Sequence, residues 1–265
     1  PGQEIVLKAY EGYYGEAPTI TDVTFRIISD NNTILLGLQS GEIDIAELST
    51  DNYNAAKADS NLVCDLSETS ATMYVYINTE REPYDDPLVR QAIAYAVDRQ
   101  YMVTLGASGL GAPTSYVGTA SMVGYPTDVT AIETDVEKAK ELLAQAGYPN
   151  GFDGGTITTA AQYENVAVVL QEQLAQIGIT LEINTPDGNT FVSDSAAGNY
   201  DLGMVALSLG SDMSAISYLY STDMIDVYNF ARYSDPEVDQ WLADALVETD
   251  TAARTEIYAK ILNKM

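Results

Sequence analysis

Thirty-nine aspartates and glutamates, nineteen tyrosines, one cysteine and no histidine set what chemistry this 265-residue chain can do. Without an imidazole, Ser-His-Asp and Cys-His catalysis and the common zinc sites are excluded on inventory. Carboxylate chemistry remains, and the adjacent pair Asp85-Asp86 invites a metal-binding or acid–base reading. Its context argues for structure instead. Asp86 stands directly before Pro87, a capping oxygen ahead of a residue whose fixed φ suits the first helical turn. Arg90 and Asp98 likewise fall at helical spacing, where partners set local geometry. The sequence calls for no metal site and no cofactor. A carboxylate-dependent hydrolase would need two acids at a catalytic separation in one cleft, and it ranks below a binding function.

Binding chemistry is better served. The strand-like run Tyr200 to Ala206 leads into Leu207-Ser208-Leu209-Gly210-Ser211-Asp212. In open α/β sheets ligands gather beyond the carboxyl ends of the strands. Ser208, Gly210, Ser211 and Asp212 would present hydroxyls, backbone amides and one carboxylate at such an edge. Tyrosine adds contact area with a polar tip. Tyr116, Tyr218 and Tyr220 are therefore ligand-contact candidates, whereas Tyr74 and Tyr76 fit a strand.

The elements that must position these residues can be read from period and punctuation. Glu4 to Ala9 and Val23 to Ile28 read as strands joined through Gly12 to Pro18, Thr33 to Gln39 as a short helix, and Gly41 to Ile45 as a turn into a strand. Thr50 to Ala58, opened by Thr50 and Asp51, reads as a second helix. Tyr74 to Ile77 is a strand of aromatic and β-branched residues. A helix should begin at Pro87, with Val89, Ile93, Ala96 and Val97 on its core side. Gly106 to Pro126 is a long loop, of the length that is usually functional or flexible. Asp135 to Ala146 is a helix ended by Gly147. A β-α-β-α-β series follows: Thr156 to Thr159, Tyr163 to Ile177, Ile179 to Asn184, Thr190 to Ala197 and Tyr200 to Ala206. Two helices, Pro236 to Leu246 and Thr251 to Lys264, come last. This alternation predicts an α/β layer with partly parallel strands.

Composition narrows the partners. A net charge of −27 with only 12 basic residues disfavours nucleic acid and anionic membrane surfaces. The acidity reads as solubility outside the cell. Cys64 lacks an internal partner, and its flanks Leu62, Val63 and Leu66 predict a buried structural thiol. No run approaches the eighteen or so apolar residues of a membrane span, and PGQEIVLKAY carries neither a signal peptide nor a lipid-attachment motif.

Three ordered motifs carry a resemblance to the solute-binding proteins, family 5, that serve peptide and nickel ABC importers. They are Ser40-Gly41-Glu42-Ile43-Asp44-Ile45; the set Asn78, Pro83, Tyr84, Asp85, Asp86, Val89, Arg90, Ala92, Ile93, Ala96, Asp98 and Arg99; and EKAKELLAQAGYPNGF ending at Phe152. Weaker similarity at Tyr200-Asp201 and Ser234 to Asp239 extends it over nearly the whole chain. The resemblance implies a type II periplasmic-binding-protein-like fold, with one nearly whole lobe plus part of the other. Residues 1–75 would be part of the first lobe and 76–265 the second, with a hinge strand near 74–78. It implies an N-terminal region, carrying the export signal and much of the first lobe, and a short C-terminal segment beyond these residues, so that ligand binding by them alone should be weak.

The resemblance further implies a monomeric, non-enzymatic component that holds a short peptide in an inter-lobe cleft and delivers it to ABC permease subunits. Its location would be the periplasm or the outer face of the cytoplasmic membrane, as a lipoprotein in full length. Asp212 or Ser211 would occupy the place of an aspartate that pairs with a peptide's amino terminus, although the loop lacks the tryptophan and Asp-Pro pair frequent in the family. Ser49 would follow a strand at which relatives place ligand or hinge contacts. A surface receptor or sensor on the same fold is the alternative. The absence of histidine argues against a direct nickel contact.

Overall fold

The computed structural model describes residues 3–28, 30–67 and 69–265, which divide into two compact units at Ser67 and Glu68. The boundary expected at 75/76 falls inside a strand of the second unit. The division comes earlier because that strand, from Ala71 onward, pairs along its whole length within the second unit's sheet.

In the first unit, β1 (Glu4–Lys8) and β2 (Asp22–Arg26) form an antiparallel ribbon. Helix α1 (Asn31–Ser40) starts because Asp30 Oδ1 accepts from Thr33 N at 2.7 Å, and it stops at Gly41, whose φ of +75° suits glycine. Helix α2 (Thr50–Lys57) is tied to it by Asn52 Nδ2 donating to Asn31 O at 2.6 Å. The strand expected across Gly41 to Ile45 does not form. A strand needs a ladder partner, and none lies beside this segment among the described residues. Ile43 instead packs its side chain onto Gly37 of α1, where even a Cβ would come within 2.6 Å of Ile43 Cδ1. Cys64 is half-buried, Val63 fully exposed and Leu66 mostly exposed, which corrects the expectation of a buried thiol. No helix or strand spans this stretch to turn its apolar flanks inward.

The second unit is built on a four-stranded sheet of order β3-β6-β4-β5. Its strands are β3 (Ala71–Ile77), β4 (Phe152–Thr159), β5 (Ile179–Asn184) and β6 (Leu202–Ser208). β4 runs parallel to both β5 and β6, and β3 is antiparallel to β6 at the edge. Helix α3 (Pro87–Ala96) opens where expected, with Asp86 Oδ1 accepting from Leu88 N at 2.8 Å. The short α4 (Arg99–Tyr101) runs into a π-type turn at Met102–Gly106. Then come α5 (Val136–Gln145), α6 (Glu164–Ala175), α7 (Gly188–Ala197), α8 (Ser217–Tyr220), α9 (Pro236–Val247) and α10 (Thr251–Lys264).

Period-2 alternation sorts the sheet's side chains. Leu202 and Met204 of β6, with Met73 and Val75 of β3, join Ile157 and Ile179 in a core covered by α3, α5 and α6. Val205, Tyr74 and Tyr76 turn to the opposite face, against Phe191 of α7, Tyr200 and Phe230. A third core, separate from the sheet, joins Met213 and Ile216 to Val238 and Leu242 of α9 and Tyr258, Ile261 and Leu262 of α10. At about 25 cal/mol per Å² of apolar surface removed from water, these three clusters are the main stabilising term.

Candidate functional site

The strand order reverses at β6 and β4: the chain leaves β4 toward β5 on one side and returns to β6 on the other. Ligands of open α/β sheets bind outside the carboxyl ends of the strands at such a point. Ser208 is the last residue of β6, opposite Ala71, and its Oγ lies 2.7 Å from Ser70 Oγ. Gly210 follows with a φ of +76° and open space over its Cα. Ser211 is exposed.

The loop is held in shape from one side. Val123 N donates to Ser211 O at 2.8 Å and Met213 N donates to Val123 O at 3.0 Å, a parallel bridge between Val123 and Asp212. Thus the Gly106 to Pro126 loop, expected as irregular, supplies a backbone partner for the candidate site.

Asp212 is engaged internally. Its Oδ1 accepts from Ser214 N at 2.9 Å, capping a 3₁₀ turn at Met213–Ile216, and its Oδ2 accepts from Arg254 Nη2 of α10 at 3.0 Å. Burial opposes ionisation of this carboxyl. The bonds from Ser214 and the Arg254 guanidinium outweigh it, so the group titrates below the ordinary aspartate value.

The tyrosines divide. Tyr116 donates its hydroxyl to Thr130 O, and burial raises its pKa. Tyr220 packs against the third core, and burial pushes its hydroxyl pKa up. Tyr218 is exposed, its ring edge-to-face with Tyr228 at 6.0 Å. Tyr228 is also exposed and leads inward to Phe230 at 6.4 Å. Ser49 belongs to the other unit, where its Oγ accepts from Asn52 N as the cap of α2.

Ser208, Gly210, Ser211 and Asp212 thus follow one another along a single loop, with Asp212 turned inward to Arg254, and Tyr218 lies further on in α8, against Tyr228. Arg254 was not among the sequence candidates, nor was Val123. A signal for Arg254 existed: it precedes Tyr258, Ile261 and Leu262 by four, seven and eight residues, which places a cation on the buried stripe of α10.

The acidic motif has structural work. Asp86 caps α3, Arg90 Nη1 donates to Tyr84 O at 2.8 Å and Asp85 O at 2.9 Å, and Asp98 Oδ1 accepts from Tyr101 N at 2.9 Å. Among the described residues, no group of three or more Cys, Asp or Glu side chains could hold a metal ion. Two open surface hollows lie away from the β6 loop. One, of about 520 Å³, is lined by Asp128, Trp241 and Lys264; the other, of about 320 Å³, by Asp85, Arg90 and Arg232. No helix of the described residues is long and apolar enough to cross a membrane.

An open α/β sheet with a shaped polar loop beyond its carboxyl edge has the architecture of a ligand-binding protein. The model of the family "Bacterial extracellular solute-binding proteins, family 5 Middle" matches residues 1–224, and the chain belongs to that family. That description is of extracellular solute-binding proteins, and relatives of this chain include a binding protein associated with an ABC transporter.

The chain is 30% identical over 268 residues to the glutathione-binding protein GsiB of Escherichia coli (strain K12), covering 96% of this chain and 52% of that protein. It is similar in structure to the periplasmic binding protein DppA from Helicobacter pylori in complex with the peptide STSA, with a TM-score of 0.87, 26% identity and coverage of 99% and 52%. It is also similar to the binding protein AgaA of A. tumefaciens R10 in complex with agropinic acid, with a TM-score of 0.83, 31% identity and coverage of 99% and 55%. The chain thus spans about half the length of the relatives it matches.

Proposed function

We propose that this chain is part of an extracellular solute-binding component of an ABC importer, that its solute is a short peptide, and that the surface from Ser208 to Asp212, with Tyr218, contributes ligand contacts. The observation that carries this reading is the polar loop at the carboxyl end of β6, positioned by Val123 at the reversal of strand order. The peptide named in the complex of DppA, and the glutathione in the name of GsiB, support the choice of solute. No covalent step is needed: the protein binds, and the bound form is delivered to permease subunits by its differential affinity for one conformation. We place the working protein as a monomer in the periplasm or at the outer face of the cytoplasmic membrane, held there as a lipoprotein.

Calorimetric titration of the complete polypeptide containing residues 1–265 tests the solute. Short peptides should bind at micromolar concentration or tighter, about −8 kcal/mol or better. Chelated metals and oligosaccharides should not. Binding of an oligosaccharide with no response to any peptide would overturn the reading.

A further inference from the structure

We infer that Arg254 sets the solute preference of the β6 loop: by holding the Asp212 carboxylate it leaves that surface electrically neutral, suited to a blocked amine, an amide or a hydroxyl and not to a free ammonium. The inference rests on the reading of this loop as a ligand surface.

The pair is built into the fold. Asp212 is fixed by the bridge to Val123 and by the turn it caps, and Arg254 by its place on the buried stripe of α10. Their side chains are 34% and 21% exposed, so the 3.0 Å contact is only partly screened by water. Arg254 Nε is buried and has no acceptor among the described residues, which leaves Asp212 as the guanidinium's hydrogen-bonded carboxylate. An incoming ammonium would have to share or take that carboxylate. Taking it strands a half-buried guanidinium, and breaking one partner from such a pair costs more than an exposed pair contributes. Sharing it offers the ammonium a charge already offset. The neutral groups beside the pair are free of this conflict: Ser211 is exposed, Ser208 is exposed with its hydroxyl shared with Ser70, and Gly210 has open space over its Cα.

The experiment uses the complete polypeptide containing this chain and a synthetic pool of dipeptides and tripeptides, in free and N-acetylated forms. Retained peptides are identified by mass spectrometry for the wild type, Arg254→Gln and Arg254→Lys. The wild type should retain acetylated peptides at least about threefold better than free ones, because the Asp212 carboxylate is already held by Arg254. Arg254→Gln, with its fold checked by circular dichroism, should shift retention at least tenfold toward free amines, the size of one charge-assisted hydrogen bond. Arg254→Lys should stay near the wild type. A wild type that retains only free peptides overturns the inference and leaves peptide binding standing. A wild type that retains neither pool overturns the peptide reading itself. Should Arg254→Gln not fold, the wild-type comparison and Arg254→Lys decide.

Discussion

Gly203 on β6 lies directly opposite Tyr76 on β3, so close that a Cβ at residue 203 would stand 2.0 Å from Tyr76 Cζ. The phenol fills the space that the missing side chain leaves. From there Tyr76 reaches Ser195 of α7, its hydroxyl 2.8 Å from Ser195 Oγ, and stacks edge-to-face on Tyr200 at 5.0 Å. One glycine thus allows one aromatic ring to join the sheet to the helix on its far face.

Gly203→Ala should therefore destabilise the protein despite adding apolar surface. The ring is locked by neighbours on every side, and overpacking of this kind costs about 1–3 kcal/mol. Val205→Ala, one step along on the same face, removes atoms instead and serves as the comparison. Equal midpoints for Gly203→Ala and wild type in urea unfolding would show that the ring gives way freely.

The cap of α3 is a second, independent test. Asp86→Ala leaves Leu88 N without its acceptor, with an expected loss of about 1 kcal/mol. Asp85→Ala, whose exposed side chain caps nothing, should change stability by less than about 0.5 kcal/mol. A larger loss at Asp85 than at Asp86 would reverse the assignment.

Acid should unfold the protein through a small set of aspartates. The Asp212 carboxyl, opposed by burial but favoured by Ser214 and Arg254, and that of Asp235, held first by Lys264, both titrate below the ordinary aspartate value. A carboxyl with a depressed folded pKa contributes stability that is present above its unfolded value, about 3.9, and lost as pH falls through the folded one. Melting temperature should drop steeply below about pH 4. Asp212→Asn should flatten that drop, and an unchanged slope would remove Asp212 from the account.

Salt should stabilise. Thirty-nine acidic against 12 basic residues leave −27 charges repelling one another, while exposed ion pairs such as Lys8–Asp22, Arg26–Glu42 and Lys140–Glu137 are each worth about 0–1 kcal/mol. The net charge of −27 is the larger contribution, and the screening length shrinks from about 30 Å at 0.01 M to about 10 Å at 0.1 M. The melting temperature should rise between these concentrations. A fall would mean that the pairs dominate.

Solute affinity should depend on the backbone of the β6 loop. Gly210→Val forces a β-branched residue to a φ of +76°, at a cost of about 1–3 kcal/mol taken up by bending the loop. Peptide affinity of the complete polypeptide should fall about tenfold or more. Ser211→Ala, which keeps the backbone, should cost less.

Most elements of the second unit were legible because their signals are local. Asp86-Pro87, Asp135 and Asp235-Pro236 each place a side-chain oxygen within a few residues of the amides it caps. Leu202 and Met204 against Val205 show the sheet's two faces in consecutive residues. The segment Gly41 to Ile45 shows the limit: its residues suit a strand, but a strand exists only where another chain segment offers a ladder.

What the sequence determined by itself was family, chemistry by inventory and the position of the polar loop after β6. Tertiary structure decided what that loop can do. Gly210 and Ser211 stay open, and Ser208 shares its hydroxyl with Ser70. Asp212, the residue of strongest charge, is spent on Arg254 forty-two positions away and on the turn it caps. The physical reason is range. Caps and periodicity act within one or two turns of chain, whereas an ion pair between a strand-end loop and a distant helix depends on a third core that no local pattern encodes.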